Sequence, residues 1–285
     1  MKLVRLGRVG HEVPGVMVGD PPQFFDARPV APDYDPDFFA EGGLDRLREA
    51  VEAGALPRLE AAGLRIAAPL RRPGKIVCIG LNYRQHANES GMEIPSEPVV
   101  FMKASNTIVG PNDDVIIPRA SLKTDWEVEL AVVIGSTTSY LDDHSEAAAH
   151  IAGYTISNDV SEREFQFDRG GQWDKGKSCA TFNPLGPWIS TSDEIGDPQQ
   201  LDMYLDLNGE RLQSATTSDM IFPIDHLIWY LSQFMVLDPG DIVNTGTPAG
   251  VGLGLRPPRY LVPGDQLDLG ISGLGAQRTC AVAAR

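Results

Sequence analysis

Glu127 and Glu129 stand two positions apart inside the run Thr124-Asp125-Trp126-Glu127-Val128-Glu129-Leu130-Ala131-Val132-Val133-Ile134-Gly135, and no other stretch limits the fold as strongly. Its apolar, β-branched residues and closing glycine predict a buried strand, in which alternate side chains share a face. The two glutamates are therefore expected as neighbours. Like charges in a run this hydrophobic are unfavourable unless a cation or a proton neutralises them. A divalent metal would do so, and an edge strand with one solvated face would accommodate the pair without one.

A chain of 285 residues can bury a substantial core, either as one large domain or as a large one with a small companion. Its 29 glycines and 22 prolines favour many short strands over a helical bundle, so a mostly β, α+β chain is expected. The net charge of -15 argues against nucleic acid and membrane surfaces as partners, both of which call for a basic face. An anionic substrate would have to be drawn in by a local positive site. Cys78, Cys179 and Cys280 fit neither a zinc spacing nor a disulfide framework. The opening Met1-Lys2-Leu3-Val4-Arg5 lacks the apolar core of a signal peptide, and no run is long enough to span a membrane. A soluble cytoplasmic protein is expected.

Along the chain, short apolar segments at Leu3–Val4 and Val16–Val18 predict small strands, and leucine and valine spacing predicts a helix within 43–59. Arg71-Arg72-Pro73-Gly74 marks an expected boundary between a small N-terminal domain, 1–70, and a larger domain, 71–285. The apolar run from Lys75 to Gly80 predicts a strand whose end presents Leu81-Asn82-Tyr83 to a cavity. The segment Arg84 to Gly91 can form two helical turns, placing His86 and Glu89 on one face, where a carboxylate could orient an imidazole as a general base. A surface His and Glu on a short helix is the plainer alternative. A polar loop is expected from Met92 to Pro98.

Further strands are predicted at Val99–Met102, Val115–Pro118 and Ile151–Val160, the last closing on Ser157-Asn158-Asp159-Val160. With Glu127 and Glu129, Asp159 would complete an all-oxygen set suited to Mg²⁺, Mn²⁺ or Ca²⁺. Asp159 could equally be a turn former. Arg163 and Gln166 follow closely. Lys177 lies in a glycine-flanked loop that lacks the spacing of a phosphate-binding loop; it is either a solvated cation or a compensating charge beside the carboxylates. Asn208-Gly209 predicts a hairpin, 224–234 a helix, and Pro239-Gly240-Asp241 and Pro263-Gly264-Asp265 two turns, each leading into a strand. Between those turns, the glycines around Thr247 would let backbone amides approach a ligand.

Taken in order, Leu81-Asn82-Tyr83 with His86 and Glu89, Trp126-Glu127-Val128-Glu129-Leu130, Asn158-Asp159-Val160 with Arg163 and Gln166, Gly176-Lys177-Ser178, and Thr245-Gly246-Thr247-Pro248 resemble the fumarylacetoacetate hydrolase family from Lys75 to the C-terminus. The resemblance implies a mixed β-sandwich roll, a homodimer, and Mg²⁺ or Mn²⁺ on Glu127, Glu129 and Asp159. It also implies a His86–Glu89 dyad on a lid, Lys177 at the reacting groups, and Tyr83, Arg163, Gln166 and Thr247 around the substrate. Residues 170–177, 1–5 and 269–275 are similar to the 2,4-diketo-3-deoxy-L-fuconate hydrolase subgroup, sometimes labelled ureidoglycolate lyase. Gln85 and Glu164 depart from the aspartates frequent at those positions. The implied chemistry is metal-dependent cleavage of a C–C bond in 2,4-diketo acids (acylpyruvates), with 2,4-diketo-3-deoxy sugar acids among the substrates the subgroup suggests. Decarboxylation of an oxaloacetate-type acid, isomerisation or dehydration of a 2-keto acid, and a non-catalytic metal-binding dimer are the alternatives.

Overall fold

Val128–Ile134 forms the middle of a ten-stranded sheet, buried at every position. The computed structural model describes residues 1–89, 91 and 93–285; Ser90 and Met92, which belong to the expected two-turn helix and the loop after it, lie outside the described residues. Across the sheet the strands run Gln23–Asp26, Val13–Val18, Lys2–Leu6, Ile189–Thr191, Ile151–Asn158, Val128–Ile134, Ile242–Asn244, Ile76–Gly80 and Val99–Lys103, with Ile66–Ala67 added beside Lys2–Leu6. Its neighbours are antiparallel except Ile242–Asn244 and Ile76–Gly80. The edge-strand alternative for the glutamate run is thereby excluded, because partners are hydrogen-bonded on both sides.

Alternation along Val128–Ile134 divides two cores. Val128, Leu130, Val132 and Ile134 pack toward a second, five-stranded sheet and the helix Ile224–Ser232. Ala131 and Val133 pack on the other face with Phe38, Phe39 and Leu47 from the N-terminal helices Pro36–Ala40 and Gly43–Glu52. A strand with apolar residues on both faces needs this double covering, and the result is the expected mixed β-sandwich roll. The second sheet is ordered Glu210–Thr216, Asp202–Leu207, Gln266–Ile271, Gly275–Ala283 and Val115–Ile117. Asn208 and Gly209, at φ 53° and 82°, turn the first hairpin as predicted.

The first three strands continue the main sheet through the pairing of Lys2–Leu6 with Ile189–Thr191, so residues 1–70 and 71–285 share that sheet. The glutamate run is not one strand: it breaks at Trp126 and Glu127, between Thr124–Asp125 and Val128–Ile134. Asp125 causes the break by turning to serve a loop, its carboxylate accepting from the backbone N–H groups of Trp126, Gly252 and Leu253. Among the described residues no helix is long and apolar enough to cross a membrane.

Candidate active site

Antiparallel register creates the site. Val128 pairs with Asn158 and Glu129 with Ser157, so the start of one central strand lies beside the end of the next. Asp159 donates its backbone N–H to the Glu127 carbonyl at 2.9 Å, carrying the register one step further. Glu127, Glu129 and Asp159 consequently offer carboxylate oxygens that all lie within 4.8 Å of one another, and all three are buried.

Three buried cations hold two of these carboxylates. Lys177, only 1% exposed, reaches Glu127 Oε2 and Asp159 Oδ2, each at 2.7 Å. Arg163 Nη1 binds Glu127 Oε1 at 2.7 Å, while its Nε donates to Asp125 Oδ2 at 2.8 Å. Lys103 Nζ pairs with Asp159 Oδ1 and donates to the Val160 carbonyl. The solvated alternative for Lys177 is thus ruled out. Glu129 is left with less: its Oε2 accepts from the Gly246 backbone N–H at 2.9 Å.

This inequality separates the glutamates electrostatically. Burial pushes the Glu127 carboxyl up, but Lys177 and Arg163 outweigh it and hold the group well below the usual carboxylate range. Burial and then the charges of Asp159 and Glu127 push Glu129 well above that range. Burial works against the Lys177 ammonium, yet Asp159 and Glu127 raise its pKa and keep it charged. Among the described residues Asp125, Glu127 and Asp159 pair with Lys103, Arg163 and Lys177, so ionising Glu129 would leave one negative charge in excess in a buried space. All-oxygen donors with surplus negative charge fit a hard divalent cation.

The loop after Ile242–Asn244 closes one side. Thr245 N–H bonds the Leu130 carbonyl, and Thr247 Oγ1 donates to the Val128 carbonyl at 3.0 Å. Gly246 sits at φ 103°, and a Cβ there would lie 2.7 Å from that of Asn82, so the loop can pack this closely only with glycine. Gln213, wholly buried, donates to Thr247 Oγ1 and the Pro248 carbonyl while accepting from Val128 N–H.

Above the carboxylates runs the short helix Arg84–Glu89. His86 Nδ1 lies 3.2 Å from Glu89 Oε1, and Glu89 in turn accepts from the backbone N–H of Gly250 at 3.0 and 3.1 Å. With Nδ1 engaged, the other imidazole nitrogen is the one left for chemistry. One pocket is lined by His86, Glu127, Glu129, Arg163, Gln166, Lys177 and Thr247. Gln166 accepts from Arg163 Nη1 at 3.0 Å.

Tyr83 is placed elsewhere. It is buried in the core between the sheets, with its hydroxyl 3.2 Å from Met203 Sδ, because the chain turns at Leu81 before it can face the cavity. Conversely, Lys103 and Asp125 had no assigned role in the sequence. Both were visible as parity: Lys103 alternates with Phe101 in its strand, and Asp125 precedes Glu127 and Glu129 at the same two-residue spacing.

The family described as Fumarylacetoacetate (FAA) hydrolase C-terminal matches residues 75–282. A Burkholderia multivorans protein is 50% identical over 286 residues, covering 100% of both chains. Among solved structures, a fumarylacetoacetate hydrolase from psychrophilic Exiguobacterium antarcticum is 33% identical with a TM-score of 0.86, covering 100% of each chain. Maleylpyruvate hydrolase from Sphingobium sp. SYK-6, in complex with manganese (II) ion and pyruvate, is 29% identical with a TM-score of 0.82, again over 100% of each chain.

Proposed function

We propose that this chain, which belongs to the fumarylacetoacetate hydrolase family, is a metal-dependent hydrolase that cleaves the C–C bond of acylpyruvate-type 2,4-diketo acids, yielding pyruvate and a carboxylic acid. The observation that carries this is a pocket lined by Glu127 and Glu129, whose carboxylates cluster with that of buried Asp159, and by His86, a histidine already paired with a glutamate.

Glu127, Glu129 and Asp159 would hold Mg²⁺ or Mn²⁺, and the similar maleylpyruvate hydrolase was solved with manganese and pyruvate. A divalent ion there would supply Lewis acidity to the substrate's keto and carboxylate oxygens. Arg163 Nη2 is buried without a hydrogen-bond partner, so one N–H donor of a fixed guanidinium is free to meet a substrate carboxylate. His86, oriented by Glu89, removes a proton from a water that attacks the carbonyl distal to that carboxylate. The C–C bond breaks with its electron pair passing to the pyruvate fragment as an enolate, and the proton held by His86 returns to that carbon. Lys177 stabilises the enolate charge electrostatically. Thr247 spends its hydroxyl proton on Val128 and accepts from Gln213, which fixes it as a shaped wall of the site.

Assays of acetylpyruvate and oxaloacetate, each with Mg²⁺ or Mn²⁺ and with EDTA, test the proposal. Metal-dependent loss of diketone absorbance with pyruvate formation is expected. Release of carbon dioxide from oxaloacetate, with acetylpyruvate untouched, would replace hydrolysis by decarboxylation.

A further inference from the structure

The pocket has two unlike halves. Its charged and hydrogen-bonding groups lie at the carboxylate floor, where Phe101 meets Lys177, whereas Ile79, Leu81, Phe167, Trp173 and Leu253 supply an apolar remainder. This apolar side is a fixed construction. The Trp173 ring is 5.3 Å from that of Phe101 at an interplanar angle of 60°, and 5.7 Å from that of Phe167 at 80°. Gly80 makes room for it, since a Cβ there would come within 2.7 Å of the indole. Leu81 is held at φ 55°, a backbone conformation costly for a branched side chain, and it lines the cavity there.

Lys177 Nζ lies 4.9 Å from the Phe101 ring centroid, so Phe101 adjoins the floor, and among the described residues no further lysine or arginine lines the pocket beside Leu81, Phe167 and Trp173. The lysine and arginine that line the pocket, Lys177 and Arg163, are tied to Glu127, Asp159 and Asp125 at the floor. A second substrate carboxylate projecting toward Trp173 would lose hydration and gain no counter-charge, and a polyhydroxylated tail would lose hydrogen bonds that Phe and Leu side chains cannot replace. A hydrocarbon tail would instead gain from burial and from stacking on the indole.

We infer that the substrate is a monoanionic keto acid whose acyl end is an uncharged alkyl or aryl group, and that Leu81, Phe167 and Trp173 set this specificity. The inference rests on the proposed orientation of a keto acid with its carboxylate at the floor. It selects against both a dicarboxylate and the sugar-acid tail implied by the subgroup similarity.

Binding without turnover tests it. Titration calorimetry on the Mg²⁺-loaded protein would compare phenylpyruvate and 2-oxoglutarate, which differ at the tail, with pyruvate as the head alone. Phenylpyruvate is expected to bind about tenfold or more tightly than 2-oxoglutarate. Trp173→Ala should erase most of that ratio. Leu81→Lys, which leaves the backbone demand at this position unchanged while adding the missing cation, should reverse it. Equal or tighter binding of 2-oxoglutarate by the unmodified protein, or a ratio that survives both substitutions, would overturn the inference. Acetylpyruvate turnover measured alongside separates the two proposals: inertness with the tail preference intact removes the hydrolase and leaves the apolar wall, and turnover with a preference for 2-oxoglutarate does the reverse.

Discussion

Glu127, Glu129 and Asp159 are fixed by sheet register and by three buried cations, whereas His86 and Glu89 ride on a six-residue helix tied down through Glu89 to the Gly250 N–H. The floor is therefore part of what folds the protein, and the helix is an attachment to it. A change in the floor should damage stability and chemistry together. A change on the helix should damage chemistry alone.

Glu127→Ala gives the largest expected effect. It leaves Lys177 and Arg163 buried with one partner fewer each, and breaking a buried pair in this way costs about 3–5 kcal/mol. It also removes one of the three proposed ligand groups, so metal-dependent activity should vanish. Denaturant unfolding and metal titration check the two consequences. A stable Glu127→Ala protein with normal metal affinity would abolish the distinction between floor and helix.

His86→Ala is the converse. Loss of general-base help should lower kcat by about 10²–10⁴. Metal affinity and unfolding free energy should stay near those of the unmodified protein. Unchanged turnover would remove His86 from the mechanism, and a large loss of stability would make the helix structural after all.

Legibility in the sequence follows the same division. The floor was readable because two glutamates inside an apolar, β-branched run contradict each other unless something neutralises them, and strand periodicity gave the shared face. The two sheets were foreshadowed by turn chemistry at Asn208-Gly209 and at the two Pro-Gly-Asp turns. What periodicity could not give was long-range pairing. Nothing local announces that Lys2–Leu6 joins Ile189–Thr191, that Lys103 reaches Asp159 from the edge strand Val99–Lys103, or that Asp125 organises a loop more than a hundred residues away. The spacing of His86 and Glu89 was legible, but their place over the carboxylates depends on Gly250 and thus on the assembled fold. Tyr83 was misplaced because the positive φ of Leu81 redirects the chain, and leucine gives no advance sign of such a turn.

Glu89→Gln sharpens the comparison on a smaller scale. It preserves the shape and an acceptor for Gly250 N–H but removes the charge facing His86 Nδ1. A loss in kcat of about tenfold is expected, in line with the worth of one charge-assisted hydrogen bond. KM and metal affinity should change less than kcat. A steady-state comparison with His86→Ala, and with the double substitution, would show whether the two side chains act as one unit; fully additive losses would argue that they do not.

The smallest effect concerns the floor alone and is read without substrate. In metal-free protein the Glu129 carboxyl is pushed well above its ordinary range by burial and by Asp159 and Glu127, so the folded chain keeps a proton that the unfolded chain has released. That contribution is fully present at pH below the ordinary glutamate range and is lost as pH rises toward the elevated value. Glu127 has the opposite sign: Lys177 and Arg163 hold it low against burial, and its contribution disappears only as pH falls toward about 2. Between these limits, EDTA-treated protein should therefore show a Tm that declines by a few degrees as pH rises above the ordinary carboxylate range. Glu129→Gln should flatten the decline, and Mg²⁺ should offset it by binding the ionised carboxylate, whereas His86→Ala should leave it in place. An identical slope in Glu129→Gln would mean that Glu129 is not the proton-holding carboxyl of the floor, and the contrast between the floor and the helix would lose its electrostatic basis.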